Sequence, residues 1–341
     1  MLIKKDFEDR ELKSENEIVK RSDIIKSIFL DYGVEYCGIA PVKFGEDIRE
    51  ILQKRADDNH LSGMEESDID KRLDATLIME DAKSIIVAAF PYYCGDIDKS
   101  NISCYCRGYD YHLVIRGIMN SICEEIQDRF SEKGDCKDYT EDKNSINEEH
   151  TIKTEVFVDN GPLVDRYLAY ISGIGFWGLN GSIITDKYGS YVFIGYIVTN
   201  LEIETDTPLD KTCLKCGKCI KSCPGNALLG NALLEGYDMD AKKCLSYITQ
   251  KKGELTDEEK NIIKKNKIIF GCDICQKVCP HNKNIEITNI EEFKNDLIKR
   301  LDLEEINQIS NKEFKRRYYN RAFSWRGKGI IKRNLEILEE D

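Results

Sequence analysis

The sequence is most informative at first for what it does not contain. No apolar run reaches the length of a membrane span; the longest candidates, Ile85–Phe90 and Tyr191–Val198, are strand-sized. The first residues, MLIKKDFEDRELKSENEIVKRSD, are charged and hold no apolar core of the kind a secretory signal requires. Neither a GxGxxG opening a βαβ unit nor a Walker A loop occurs, so no nicotinamide or ATP site is visible. The formal net charge of −12 argues against indiscriminate binding to nucleic acid. These absences point to a cytoplasmic chain without a membrane anchor. In a reducing compartment its 14 cysteines are expected to hold metal rather than pair.

Eight of those cysteines lie between Cys213 and Cys279. CLKCGKCIKSCP supplies Cys213, Cys216, Cys219 and Cys223, and CDICQKVCP supplies Cys272, Cys275 and Cys279, with Cys244 between the blocks. The first block is the C-x2-C-x2-C-x3-C-P run of bacterial ferredoxins, in which the fourth thiol ligates the other cluster. The second block lacks an opening thiol, and Cys244 is the natural replacement. The crossed ligation of such ferredoxins then gives two 4Fe–4S sets, Cys213, Cys216, Cys219 with Cys279, and Cys272, Cys275, Cys244 with Cys223. Zinc would take four ligands from two CxxC pairs and leave the remaining regular thiols unexplained.

At 341 residues there is room for two or three domains. Apolar spacing predicts a helix over 16–31, a strand Tyr36–Ala40, a helix over 46–58, a buried strand Ser84–Phe90 and a long helix over 109–130. Residues 131–154, including Cys136 and His150, read as a polar surface insertion. A short strand Val156–Val158 leads to Asp159, with a helix opening at Pro162, and strands Ser182–Thr185 and Ser190–Thr199 follow. The expected architecture is an α/β (α+β) domain over 1–206, a two-cluster ferredoxin-like module over 207–283 with a helix near 255–270, and a helical segment over 284–341. Between Lys312 and Arg333 that last segment carries nine Lys or Arg, with Tyr318, Tyr319, Phe323 and Trp325 interleaved. Read alone, this is either a solvated helical face or a phosphate-binding patch.

Two clusters transfer electrons, but an electron carrier alone needs no further 200-residue domain. The segments KRLDATLIMEDAKSII (71–86), GYDYH (108–112), VDNGPLVDRYLAYISGIGFWGLN (158–180), GSYVFIGYIVTNLEIETDTP (189–208), CLSYITQKKG (244–253), FGCDICQKVCPHN (270–282) and SWRGKGIIKRN (324–334), in that order, closely resemble the epoxyqueuosine reductases. The resemblance implies cobalamin beside two 4Fe–4S clusters, and reduction of the epoxide of epoxyqueuosine in the tRNA anticodon to give queuosine. Asp159 matches that family's catalytic aspartate, and burial against the corrin would raise its pKa so that it acts as proton donor; the bland alternative is a cap for the following helix. Arg72, Cys104, Ile183, Ile194, Ser246 and Asp273 match cofactor-contacting positions, with Cys106 as the alternative to Cys104. His112 is expected in a supporting position rather than on cobalt. Lys251, Lys252, Arg317 and Arg321 are implied to meet tRNA phosphates. Electrons would come from an external ferredoxin or flavodoxin, and the protein is expected to be a monomer.

Many relatives continue with HEAT-like helical repeats, whereas this chain stops at Asp341, so a short form is expected. Other functions compatible with the cysteine pattern are a reductive dehalogenase, a non-catalytic electron carrier, and a nucleic-acid-binding protein with structural clusters.

Overall fold

A computed structural model describes residues 20–131, 151–230 and 239–340. Cys136, His150 and the body of the expected insertion lie outside the described residues. The described residues begin with helix α1 (20–31), strand β1 (Tyr36–Ala40), helices α2 (Glu46–Asp57) and α3 (Ile69–Leu73), strand β2 (Ser84–Pro91) and the long helix α4 (Tyr111–Phe130). Strand β3 (Thr154–Val158), helix α5 (Asp165–Ile171), the two-residue strands β4 (Phe176–Trp177) and β5 (Ile183–Ile184), and strand β6 (Val192–Thr199) complete this part.

Four strands pair in the order β1-β2-β6-β3, every pair antiparallel. The alternation of helices and strands in the sequence thus forms an α+β sheet rather than a parallel βαβ one. All eight residues of β2 are buried. Successive side chains of a strand face opposite sides, and here both sides are covered. Ile86, Ala88 and Phe90 enter one core with α1 and α4. Ile85, Val87 and Ala89 enter a second core with α2 and α5. A central strand covered on both faces explains why SIIVAAF lacks polar alternation. Helix α4 approaches the sheet at Gly195, where a Cβ would stand 2.6 Å from Met119 Sδ; any larger residue there would push the helix away.

The cluster region contributes the short helices α6 (Lys218–Ser222) and α7 (Leu245–Ile248), then α8 (Asp257–Asn266) and α9 (Ile274–Lys277). Helix α8 starts with a reciprocal capping box between Thr256 and Glu259, which satisfies two otherwise orphaned N–H groups. The remaining helices are α10 (Glu291–Lys294), α11 (Leu303–Gln308), α12 (Asn311–Tyr318) and α13 (Lys328–Glu339).

The segment after residue 284 does not pack as a separate unit. Phe293, Leu301, Ile306, Phe314, Phe323 and Ile331 join the same core as α1, α4 and one face of β2, and Ile337 closes a smaller core with Leu245, Ile248 and Ile263 of the cluster region. At about 1.5–3 kcal/mol per fully buried aliphatic or Phe side chain, these contacts make the segment integral to folding. The cluster region is bound in as well. Ser103 N–H donates to Phe270 C=O at 2.9 Å, and the Gln276 amide donates to Ser190 C=O at 2.8 Å. No helix among the described residues is long and apolar enough to cross a membrane.

Candidate active site

The last residue before the α5 region is held in an unusual backbone conformation. Asp159 follows β3 with φ +60°, and Asn160 N–H closes on Val158 C=O at 2.6 Å, a tight three-residue turn centred on Asp159. Asp and Asn tolerate this region better than other side chains, yet it remains costly enough to be rare outside functional turns. Helix α5 begins at Asp165 with Val164 as its N-cap, not at Pro162. Leu163 N–H is taken by Tyr196 Oη at 3.2 Å and Val164 N–H by Arg72 C=O at 3.3 Å. Asp159 therefore caps nothing, and the helix-cap alternative falls.

The turn places the Asp159 carboxylate over the start of α4. Tyr111 Oη donates to Asp159 Oδ2 at 2.5 Å, and His112 Nε2 lies 3.5 Å from the same oxygen. His112 Nδ1 is 2.8 Å from Asp110 Oδ1, whose carboxylate also accepts from His112 N–H as the N-cap of α4. The imidazole stacks on Tyr111 with centroids 4.1 Å apart. One dipeptide, Tyr111–His112, thus grips Asp159.

Electrostatics divide the roles. Withdrawal from water pushes the Asp159 pKa up, but the His112 and Tyr111 hydrogen bonds and the positive charges of His112 and Arg166 outweigh it, leaving the carboxyl below its ordinary value. For His112, burial favours the neutral ring, but the hydrogen bonds and charges of Asp110 and Asp159 prevail and raise its pKa to about 9. The neighbours of Asp159 thus act against the rise that burial against a corrin would bring. With its side chain 56% exposed, Asp159 is anionic near neutral pH, and the proton of this pair rests on His112.

The eight cluster thiols fall into two quartets. Cys213, Cys216, Cys219 and Cys279 line one cavity together with Asn180 and His281. The other four group likewise: burial raises the pKa of Cys244, Cys272 and Cys275, and the nearby Cys223 thiol adds to the rise in each. The division is the crossed one expected from the sequence. Among the described residues no three His, Cys, Asp or Glu side chains converge on a single-ion position. Four thiols spread around a shared space fit a 4Fe–4S cubane.

Charged residues connect this region to Asp159. Arg166 acts electrostatically on both Asp159 and Cys244, and Arg72 and Asp159 both act on Asp165. Arg72 is 7% exposed rather than standing free in a polar stretch. Asp273 is buried, its carboxylate accepting from Ser103 Oγ and from Cys104 N–H at 2.6 Å. Cys104 Sγ lies 3.6 Å from Cys94 Sγ, whereas Cys106 Sγ turns back to Ser103 C=O at 3.1 Å. Ile183 and Ile194 share the second core with Leu163 and Tyr196. Gln250 donates to Ser246 C=O at 3.0 Å and approaches Tyr105 Oη at 3.5 Å. Tyr105, Tyr111, Arg166 and Gln250 were not singled out from sequence. Their signal was proximity to GYDYH and to Asp159, but aromatic and charged residues at such positions are ordinarily structural. An open cavity between α2 and α3, lined by residues such as Arg49, Lys54, Asp57 and Asp70, contains none of these groups.

The four expected tRNA-contacting residues separate. Arg321 is 3% exposed, pairs with Asp296 at 2.5 Å, donates to Arg107 C=O at 3.2 Å and stacks over Tyr109. It is an internal strut, which corrects its assignment to phosphate. Arg317 is half-exposed and paired with Glu313 and Glu305. Lys251 is paired with Glu259 at 2.7 Å, and Lys252 is exposed.

Two thiol quartets folded against an antiparallel sheet domain, with an acid–histidine pair at the sheet's end, define a two-cluster iron–sulfur oxidoreductase. The family model for a 4Fe-4S double cluster binding domain matches residues 212–282, and that for epoxyqueuosine reductase QueG, DUF1730, matches residues 72–159. An epoxyqueuosine reductase of Lactococcus garvieae is 36% identical over 320 residues, covering 91% of this chain and 84% of the relative. The chain belongs to the epoxyqueuosine reductase family. Among solved structures, an epoxyqueuosine reductase with an epoxyqueuosine-modified tRNA-Tyr stem loop superposes with a TM-score of 0.79 at 30% identity, over 94% of this chain and 80% of the other. The Bacillus subtilis enzyme, captured with its aspartate-bearing catalytic loop swung out of the active site, gives 0.77 at 29%, over 93% and 81%.

Proposed function

We propose that this protein reduces epoxyqueuosine in tRNA to queuosine. Membership of the family supports the reaction, and the observation that carries its assignment to a site is the grip of Tyr111 and His112 on Asp159, with Arg166 acting electrostatically on both Asp159 and Cys244. Removing the epoxide oxygen as water takes two electrons and two protons and leaves a C=C bond. The two thiol quartets fit the clusters that bring the electrons. For cobalamin, Arg72 and Ser246 would offer hydrogen bonds to amide and phosphate groups, and the core that contains Ile183 and Ile194 would back its apolar side. When bound, cobalamin supplies a strongly reducing metal centre at the carbon–oxygen bond.

The chain's own residues handle the protons. His112, held cationic between two carboxylates, stores one; the anionic Asp159 takes it from His112 and passes it to the epoxide oxygen as the C–O bond opens, and the second proton, which releases that oxygen as water, comes from solvent at the half-exposed Asp159 carboxylate. Tyr111 fixes the carboxylate orientation. Such positioned proton transfer contributes about 10²–10⁴-fold.

Electrons enter at the Cys213–Cys279 quartet, where Cys216 is exposed beside the exposed Lys215, Lys218 and Lys221. That surface suits an acidic donor of the ferredoxin or flavodoxin class. The turn carrying Lys251 and Lys252, with Arg333 donating to Lys251 C=O at 2.8 Å, and Arg317 provide charge for the anticodon arm. The deciding assay uses anaerobically prepared protein loaded with iron, sulfide and cobalamin. With a reductant it is expected to convert an epoxyqueuosine-bearing anticodon stem-loop to queuosine, read by nucleoside mass spectrometry. A loaded protein that leaves the nucleoside unchanged would sink the assignment.

A further inference from the structure

The turn between β4 and β5 carries a buried polar group that nothing among the described residues satisfies. Asn180 is 7% exposed. Its Oδ1 accepts Ser182 N–H at 3.2 Å; because a backbone N–H needs an acceptor, this fixes which end of the amide is oxygen. The other end, Nδ2, is buried and has no hydrogen-bond partner. An unsatisfied buried donor costs about 1–3 kcal/mol, so a partner is expected on that side.

Asn180 lies in the wall of the cavity lined by Cys213, Cys216, Cys219 and Cys279. The turn is held against that cavity from both sides. Gly178 N–H donates to Ser182 C=O at 2.9 Å, and Phe176 and Ile184 pack on Cys279 in a small core of their own. On the far wall the His281 ring nitrogen Nε2 already faces Leu214 N–H at 3.4 Å. The groups that four thiolates would gather in this space are sulfurs, which are anionic acceptors.

We propose that Asn180 Nδ2 donates a hydrogen bond to a sulfur of the 4Fe–4S cluster held by Cys213, Cys216, Cys219 and Cys279, and thereby raises that cluster's reduction potential. An N–H dipole aimed at the cluster stabilises the extra negative charge of its reduced form; hydrogen bonds to sulfur are among the main determinants of such potentials. The cluster nearer solvent is then easier to reduce than it would be without this donor. The inference rests on the double-cluster module and is independent of the substrate.

The test is an EPR-monitored redox titration of fully loaded protein. Asn180→Leu, with the same side-chain branching and number of heavy atoms but without donors, is expected to lower the potential of one cluster, leaving the other unchanged and the iron content intact. Two unshifted potentials would overturn the proposal. Should the variant fail to retain its cluster, the wild-type protein decides: with 15N-asparagine in D2O, the reduced cluster is expected to show ENDOR coupling to an exchangeable side-chain amide deuteron. Absence of that coupling overturns the proposal equally. Neither readout depends on turnover, so failure here leaves the reductase assignment standing.

Discussion

His112 Nε2 stands 3.5 Å from Asp159 Oδ2, while its Nδ1 is 2.8 Å from Asp110 Oδ1. One imidazole thus bridges two carboxylates, and each favours its cationic form. The pair stores a proton near neutral pH while leaving the half-exposed carboxylate as the group that meets the substrate.

Asp159→Asn tests the exposed member. Asn tolerates the left-handed backbone as well as Asp does, so the turn survives while the ionisable group is lost. Iron and cobalamin content are expected to match wild type, and turnover to fall by about 10²–10⁴-fold. Activity close to wild type would remove Asp159 from the mechanism.

His112 gives a pH signature. Its pKa is raised from the ordinary 6.5 to about 9, so the charged form is favoured in the folded protein. The stabilisation this provides is full below about pH 6.5 and disappears as pH rises through about 9. Asp159, with its pKa lowered, contributes in the opposite sense: its share is present above the ordinary carboxylate pKa and is lost in acid as pH falls through the depressed value. Wild-type turnover is therefore expected to decline on a basic limb near pH 9. His112→Gln should lower the rate and flatten that limb. A variant that keeps the limb would show that another group titrates there.

The cluster assignment predicts an uneven response to cysteine loss. Cys244→Ser removes a ligand from the quartet that neighbours Arg166, whereas Cys216→Ser removes one from the exposed quartet. Each is expected to lose about half the iron and one of two EPR signals, and the remaining signals are expected to differ between the variants. Identical residual spectra would contradict two separate quartets.

Much of this was legible in the sequence where chemistry and spacing coincide. The thiol pattern specified two quartets because cubane ligation restricts which cysteines can combine. The run SIIVAAF announced a strand buried on both faces. What the sequence hid was long-range. Pro162 looked like a helix start, but Tyr196 and Arg72, distant in the chain, take the next N–H groups and delay α5 to Asp165. The depressed Asp159 carboxyl depends on His112, 47 residues earlier, and no local pattern reveals that contact. The basic run from Lys312 to Arg333 looked uniform, yet tertiary packing buries Arg321 and leaves Arg317 at the surface.

That last contrast is measurable. Arg321 is 4% exposed at its side chain and joins Asp296, the Arg107 carbonyl and the Tyr109 ring. Arg321→Ala removes the cation over the Tyr109 ring and one of two donors to the Arg107 carbonyl, which keeps Ile298 N–H at 2.9 Å, and opens space in the interior. Because Asp296 itself is 67% exposed and regains water, the loss should fall short of that for a fully buried pair, at about 1–3 kcal/mol. Arg317 is 41% exposed and its pairs with Glu305 and Glu313 are surface contacts, worth at most about 1 kcal/mol. Urea denaturation should therefore separate the variants clearly, with Arg321→Ala the less stable. Stem-loop binding should reverse the order. Arg317→Ala is expected to weaken binding and flatten its salt dependence by about one charge, while Arg321→Ala, under conditions where it stays folded, should bind as wild type does. If Arg321→Ala instead loses RNA affinity without losing stability, the buried strut is the wrong description of that residue.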